Sequence, residues 1–184
     1  MSGLTGITDK QPDRAWLGVL VGLSLTLAMG AFAWTLFGAS PRQGISSSAL
    51  YSTRFPDQRG SSIALAQWQG KVLLINFWAA WCEPCRKEIP HLIAAQTQFG
   101  AKGLQVLGIA VDKAENVIPY SMQLGINYPL LIDEASGMAL SMRLGNRTGI
   151  VPFTALVDRQ GRLLSVTAGP LSENQLESML RGQL

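Results

Sequence analysis

Residues 77–88 read FWAAWCEPCRKE, and they hold both cysteines, Cys82 and Cys85, of a 184-residue chain. In front of them runs Lys71-Val-Leu-Leu-Ile-Asn-Phe77, a continuous apolar segment of strand length. Such a run suits a central strand covered on both faces. Behind them, Ile89, Leu92, Ile93 and Phe99 recur at helical spacing, and Gly100 and Gly103 follow, as expected past a helix end. Cys82 therefore falls where a strand gives way to a helix. Unsatisfied N–H groups and the positive end of the helix dipole favour a thiolate there. Pro84 is tolerated because the first helical turn needs no N–H donor. Cysteines at i and i+3 are close enough on a helix to bond.

Four chemistries compete for this pair. A structural zinc site needs about four ligands, and the chain offers two Cys and a single His. A purely structural disulfide across two residues would close almost no loop. A copper-handling dithiol is more serious, because thiolates select Cu(I). Thiol–disulfide exchange would use Cys82, nearer the helix end, as the attacking sulfur and Cys85 to resolve the mixed disulfide. Glu88 follows Cys85 at i+3 and borders the apolar face formed by Ile89, Leu92 and Phe99. A carboxyl there would be desolvated, would bind its proton more tightly, and could pass protons to Cys85. The rival is a solvated glutamate paired with Lys87 or Arg86. Glu83 would place negative charge beside the thiolate and partly oppose the dipole. His91 falls opposite Cys85 on the helical wheel and reads as a surface residue.

Further along, Leu104–Val111 is a second apolar strand, and Asn116–Leu124 is helical and ends at Gly125. Tyr128–Ile132 is a short extended piece, and Ser136–Leu144 a further helix stopped by Gly145. Strands Phe153–Val157 and Leu163–Thr167 are joined by Asp158-Arg-Gln-Gly161, a hairpin turn with Gly where positive φ is expected. Ser172 with Gln175 marks the start of a last helix, Glu173–Leu180. This order implies an α/β fold, a mixed sheet with helices on both faces. Its first two strands should be parallel, joined by a right-handed crossover.

Residues 15–39, AWLGVLVGLSLTLAMGAFAWTLFGA, contain no charge. As a helix they would span roughly 37 Å, against about 30 Å of bilayer hydrocarbon. Trp16 and Trp34 stand near the ends, where such rings favour the interface. The alternative is a cleaved signal, with Ala31-Phe32-Ala33 as a small-x-small pattern, but the run exceeds a signal-peptide core and that pattern falls inside it, so one N-terminal transmembrane helix is expected, with residues 1–14 as a short tail. Lys10 and Arg14 on one side and Arg42 on the other leave its direction open. Residues 40–61 are polar and rich in Ser and Gly, and read as a tether whose last part packs on the domain; residues 62–184 are expected to form that domain. A net charge of +3, with scattered Lys and Arg, shows no nucleic-acid footprint.

The segments NFWAAWCEPCRKEIP (76–90), VLGIAVD (106–112), GINYPLLID (125–133) and GIVPFTALVDRQGRL (149–163) together resemble the thioredoxin fold. More closely, they resemble the membrane-tethered TlpA/ResA branch of thiol–disulfide oxidoreductases, related to the cytochrome c maturation thioredoxins. The likeness spans about residues 60–182. It implies a redox-active Cys82–Cys85 disulfide with no other cofactor and no metal. It implies that Val151-Pro152 is the cis-proline loop facing the cysteines, with catalytic roles for Cys82, Cys85, Glu88 and Pro152. Substrate contacts would come from Trp81, Glu83, Pro84 and Val151. Asn76 stands where ordinary thioredoxins carry a buried acid, which gives Glu88 the proton-handling role. The resemblance further implies a monomer, single-pass in the cell inner membrane, with a cytoplasmic N-terminus and an extracytoplasmic (periplasmic) domain. Its partners would be the bilayer, a membrane thiol reductant, and protein disulfides of apocytochrome c or copper-centre assembly proteins. The rival activity is a copper-binding metallochaperone using Cys82 and Cys85. A peroxidase reading lacks a third cysteine.

Overall fold

The structure, a computed structural model, describes residues 45–184. The expected tail, the transmembrane segment 15–39 and the first residues of the tether lie outside the described residues. Among the described residues, no helix is long and apolar enough to cross a membrane.

The described chain opens with α1 (Ser47–Ser52), followed by β1 (Arg54–Pro56) and β2 (Ser62–Ala64), which pair antiparallel. Ser46 caps α1 by accepting the Ala49 N–H. This corrects the domain start expected at residue 62. Leu50, Tyr51 and Phe55 are buried, so much of the stretch assigned to a tether is folded onto the domain. Three apolar side chains are too few to show a period, but each fully buried one removes enough surface from water to contribute about 1.5–3 kcal/mol.

The main sheet is built from β3 (Val72–Trp78), β4 (Leu104–Ala110), β5 (Leu130–Ile132), β6 (Phe153–Val157) and β7 (Leu163–Ala168). The spatial order is β5-β4-β3-β6-β7, with β3, β4 and β5 parallel and β6 and β7 antiparallel. β3 is central and buried along its whole length, which is why its sequence is apolar without alternation. An Asp57–Leu131 bridge carries the N-terminal hairpin onto the β5 edge.

Helix α2 (Glu83–Phe99) follows β3, α3 (Ala114–Leu124) follows β4, α4 (Glu134–Arg143) follows β5, and α5 (Glu173–Leu180) ends the fold. One core lies between the sheet and α2, α3 and α5. It joins Leu74, Trp78 and Val106 to Cys85, Ile89, Leu92, Val117 and Leu176. The opposite core joins Leu73, Ile75, Phe77 and Ile109 to Leu50, Tyr51 and Leu140. Alternate strand residues thus feed the two layers. Pro90 lies inside α2, which continues through it to Phe99. The capping box at Ser172 and Gln175 is present at the start of α5.

Two glycines are fixed by their surroundings. Gly108 sits beside Asn76 in the sheet, and a Cβ there would lie 2.6 Å from Leu130 Cδ2 and 3.0 Å from Tyr128 Cε2. Gly161, in the β6–β7 turn, has φ +80°, and a Cβ would meet Tyr51 Cε2 and Ser47 Cβ at 2.7 Å. The hairpin turn therefore seats α1.

Candidate active site

Cys82 is the N-cap of α2, and its sulfur accepts the Cys85 N–H at 3.3 Å. The two sulfurs are joined in a disulfide, with Cα atoms 5.3 Å apart. Cys82 is 4% exposed and Cys85 is fully buried, so only the first sulfur has any opening to solvent. The loop before the helix is held by Asp112 at the end of β4. Its Oδ2 accepts the Ala80 N–H at 2.9 Å, and its Oδ1 accepts from Lys113 N–H and Asn116 Nδ2.

Across from Cys82 lies the loop entering β6. The Val151–Pro152 peptide bond is cis, Pro152 is buried and Val151 is half-buried. The Val151 carbonyl oxygen is 3.7 Å from Cys82 Sγ. Trp81, beside Cys82 in the chain, is 69% exposed. Pro84 is exposed at the first turn of α2. Glu83 is exposed and pairs with Lys87 at 2.8 Å, and that hydrogen bond holds its carboxyl below the usual range. Glu83 thus directs its charge along the outer face of α2.

Glu88 lies one turn beyond Cys85 and is 2% exposed. Neither Lys87 nor Arg86 pairs with it. Its Oε1 accepts from Asn76 Nδ2 at 2.7 Å, and its Oε2 accepts the Leu171 N–H at 2.7 Å. Burial pushes its pKa up to about 7, while the two hydrogen bonds pull the other way. The same Asn76 amide donates to Thr154 Oγ1 at 3.0 Å, so the asparagine spans β3, α2 and β6. Burial, aided by the Glu88 charge, also raises the Tyr128 hydroxyl. The Arg86 guanidinium stacks over the Tyr120 ring at 5.5 Å, and Tyr120 also meets Trp78.

All eight residues singled out by sequence therefore lie on the β3–α2 segment or the Val151-Pro152 loop. The sulfur of Cys82 bridges the two. Asp112, Thr154, Tyr128 and the Leu171 backbone were not singled out, because each reaches the site by tertiary contact that its own segment does not encode. The hints were that Asp112, Tyr128 and Thr154 fall within the segments 106–112, 125–133 and 149–163. His91 departs from its expected surface place. It is half-buried, with Nδ1 buried and unpartnered, because α5 packs beside it and leaves a small groove flanked by Glu173 and Glu177. Among the described residues, no three His, Cys, Asp or Glu side chains gather as metal ligands.

The AhpC/TSA family profile matches residues 48–166. The thiol–disulfide oxidoreductase ResA of Halalkalibacterium halodurans is 24% identical over 173 residues, covering 94% of this chain and 96% of that protein. ResA of Bacillus thuringiensis is 29% identical over 126 residues, covering 68% of this chain and 70% of its own length. Among solved structures, a thioredoxin-family thiol:disulfide interchange protein from Chlorobium tepidum superposes with a TM-score of 0.64 at 27% identity, covering 79% of this chain and 99% of that one. The chain belongs to the AhpC/TSA family. With its thioredoxin-like fold and Cys82–Cys85 disulfide, it is a thiol–disulfide oxidoreductase.

Proposed function

We propose that this oxidoreductase works as a membrane-tethered, extracytoplasmic reductase of protein disulfides. The observation that carries the reading is the sulfur of an N-cap cysteine lying against the Val151 carbonyl, with a buried carboxyl one turn behind the second cysteine. In the reduced protein, the Cys82 thiolate attacks one sulfur of a substrate disulfide. The substrate S–S bond breaks, a mixed disulfide forms, and the leaving thiolate takes up a proton. Cys85 then gives its proton to Glu88 and attacks the Cys82 sulfur. That step closes the Cys82–Cys85 disulfide and releases the second substrate sulfur as a thiolate, which takes up a proton from water. Two electrons pass from the pair to the substrate, and a membrane dithiol must return them.

The uncharged residues 15–39 would anchor the chain with residues 1–14 in the cytoplasm. The domain then stands on the side of the membrane where protein disulfides persist. Its substrates would be oxidised cysteine pairs of apocytochrome c or of copper-centre assembly proteins.

The test is the reduction potential of the pair in the full-length chain, together with reduction of insulin. A potential near about −270 mV or lower with insulin turnover supports a reductase, and one near about −120 mV makes the protein an oxidant. Tight stoichiometric Cu(I) binding without turnover would overturn the reading in favour of metal delivery.

A further inference from the structure

The loop that faces Cys82 is held by a buried side chain outside the cysteine motif. Asn146, in the turn after α4, is 1% exposed. Its Nδ2 donates to the Ile150 carbonyl at 2.8 Å and to Ser141 Oγ at 3.2 Å. Its Oδ1 accepts the Ile150 N–H at 3.2 Å. A single amide thus takes both backbone groups of Ile150, as a neighbouring strand would. The partners fix which way the amide points, since one is an acceptor and the other a donor. Ser141 is buried in α4, and its hydroxyl donates to the Met138 carbonyl at 2.8 Å. The Asn146 backbone is anchored too: its N–H donates to the Ser141 carbonyl, and its carbonyl accepts the Gly149 N–H. The turn is closed on itself and bolted to the end of α4.

We infer that Asn146 is a positioning residue that sets the register in which a substrate strand pairs beside Cys82. This deepens the reductase reading and rests on it. An extended peptide laid along the loop needs unspent backbone N–H and C=O groups. Ile150 has spent its N–H on Asn146 and has its carbonyl engaged by the same amide, and Pro152 has no N–H to offer. Val151 remains, and its carbonyl already lies 3.7 Å from Cys82 Sγ. Pairing is confined to the residue opposite the attacking sulfur, and slippage toward Ile150 is blocked. The loop is also ordered before substrate arrives, so binding does not have to bear that ordering.

The test compares two disulfides on the full-length chain. Insulin has backbone to pair, whereas 5,5′-dithiobis(2-nitrobenzoate) has none. Asn146→Ala should raise KM for insulin about tenfold, the effect of roughly one net hydrogen bond. Its kcat for insulin, and its kcat/KM for the small disulfide, should stay within about twofold of the unaltered chain. An equal loss on both disulfides, or no change in KM for insulin, overturns the inference. If Asn146→Ala fails to fold, amide exchange in the unaltered chain decides. An Ile150 N–H protected about tenfold or more beyond the Val151 N–H supports the clamp, and equal rates refute it. An unaltered chain that reduces neither disulfide removes the reductase reading itself, whatever the exchange rates show.

Discussion

Replacing Glu88 by Gln separates a buried, proton-holding carboxyl from an ordinary helix glutamate. The side chain is 2% exposed, and its pKa is raised from 4.5 to about 7, chiefly by burial. An acid whose folded-state pKa lies above its unfolded value leaves stability intact at low pH. Below about pH 4.5 the group is protonated in both states. Stability is then lost as pH rises to and through 7, because the folded state must hold a buried carboxylate. At 1.36 kcal/mol per tenfold change in proton affinity, the gap between 4.5 and about 7 corresponds to about 3 kcal/mol. Gln cannot ionise, so Glu88→Gln carries none of this dependence. It keeps one oxygen to accept from the Asn76 amide and loses the acceptor for the Leu171 N–H, an offset that does not vary with pH in the variant. Urea unfolding of the oxidised chains, in which neither sulfur titrates, gives a clean difference. The variant should gain on the unaltered chain by about 3 kcal/mol between about pH 4 and pH 8. Parallel stability curves would refute the reasoning. In the reduced protein the same variant should slow exchange and remove an inflection near pH 7 from its rate profile.

The two cysteines should part in trapping experiments: Cys85→Ser should accumulate mixed disulfides with substrate and Cys82→Ser should not, as electrophoresis without reductant would show, and the reverse pattern reverses the proposed roles. Asp112→Ala leaves the Ala80 N–H without its carboxylate and should lower stability by about 1–3 kcal/mol. It should also slow attack by Cys82 on small disulfides, and an unchanged rate would mean the loop needs no such anchor. Gly161→Ala combines a φ of +80° with a 2.7 Å approach to Tyr51, and should destabilise the protein by about 1–3 kcal/mol in urea unfolding. A loss under about 0.5 kcal/mol would show that α1 is not seated on the hairpin turn.

The central layers were legible because their signals are local. Val72–Trp78 is apolar without a break, so it reads as the covered middle strand. Asp158 and Gly161 sit at the offsets a hairpin turn demands, and Ser172 and Gln175 announce α5 in their own residues. Helix α3 began two residues before the expected Asn116, because Lys113 caps it without a side-chain bond and so leaves no marker. The α1–β1 segment escaped for a different reason. Its buried residues, Leu50, Tyr51 and Phe55, gain their partners from the sheet and the hairpin turn, far along the chain. Glu88 was legible as a position on the helix bordering apolar residues and, through the resemblance, as the partner of Asn76 in proton handling. What fixes its carboxyl in place, the Asn76 amide and the Leu171 N–H, comes from strand β3 and from a loop 83 residues away.

Three polar side chains hold three loops of the site. Asp112 fixes the segment entering α2, Asn146 fixes the segment entering β6, and Glu88 fixes the segment entering α5. Each is nearly or fully buried, and each pairs with backbone groups rather than with another charged side chain. Backbone pairing suits a redox site, because it positions a loop without adding a cation beside a sulfur that must become a thiolate and then give up its charge. Of the three anchors, Glu88 alone sits one turn from Cys85 with a proton affinity matched to neutral pH. In the proposed step it takes the Cys85 proton and becomes neutral, and its hold on the Leu171 N–H should then weaken because a charged acceptor binds an amide more strongly than a neutral one. The loop before α5 is therefore tied to the protonation state of the site, whereas the Asp112 and Asn146 loops are not. Amide exchange at Leu171 should accelerate below pH 7 in the unaltered chain and stay flat in Glu88→Gln, once intrinsic exchange is divided out. Equal pH dependence in the two chains would sever that link.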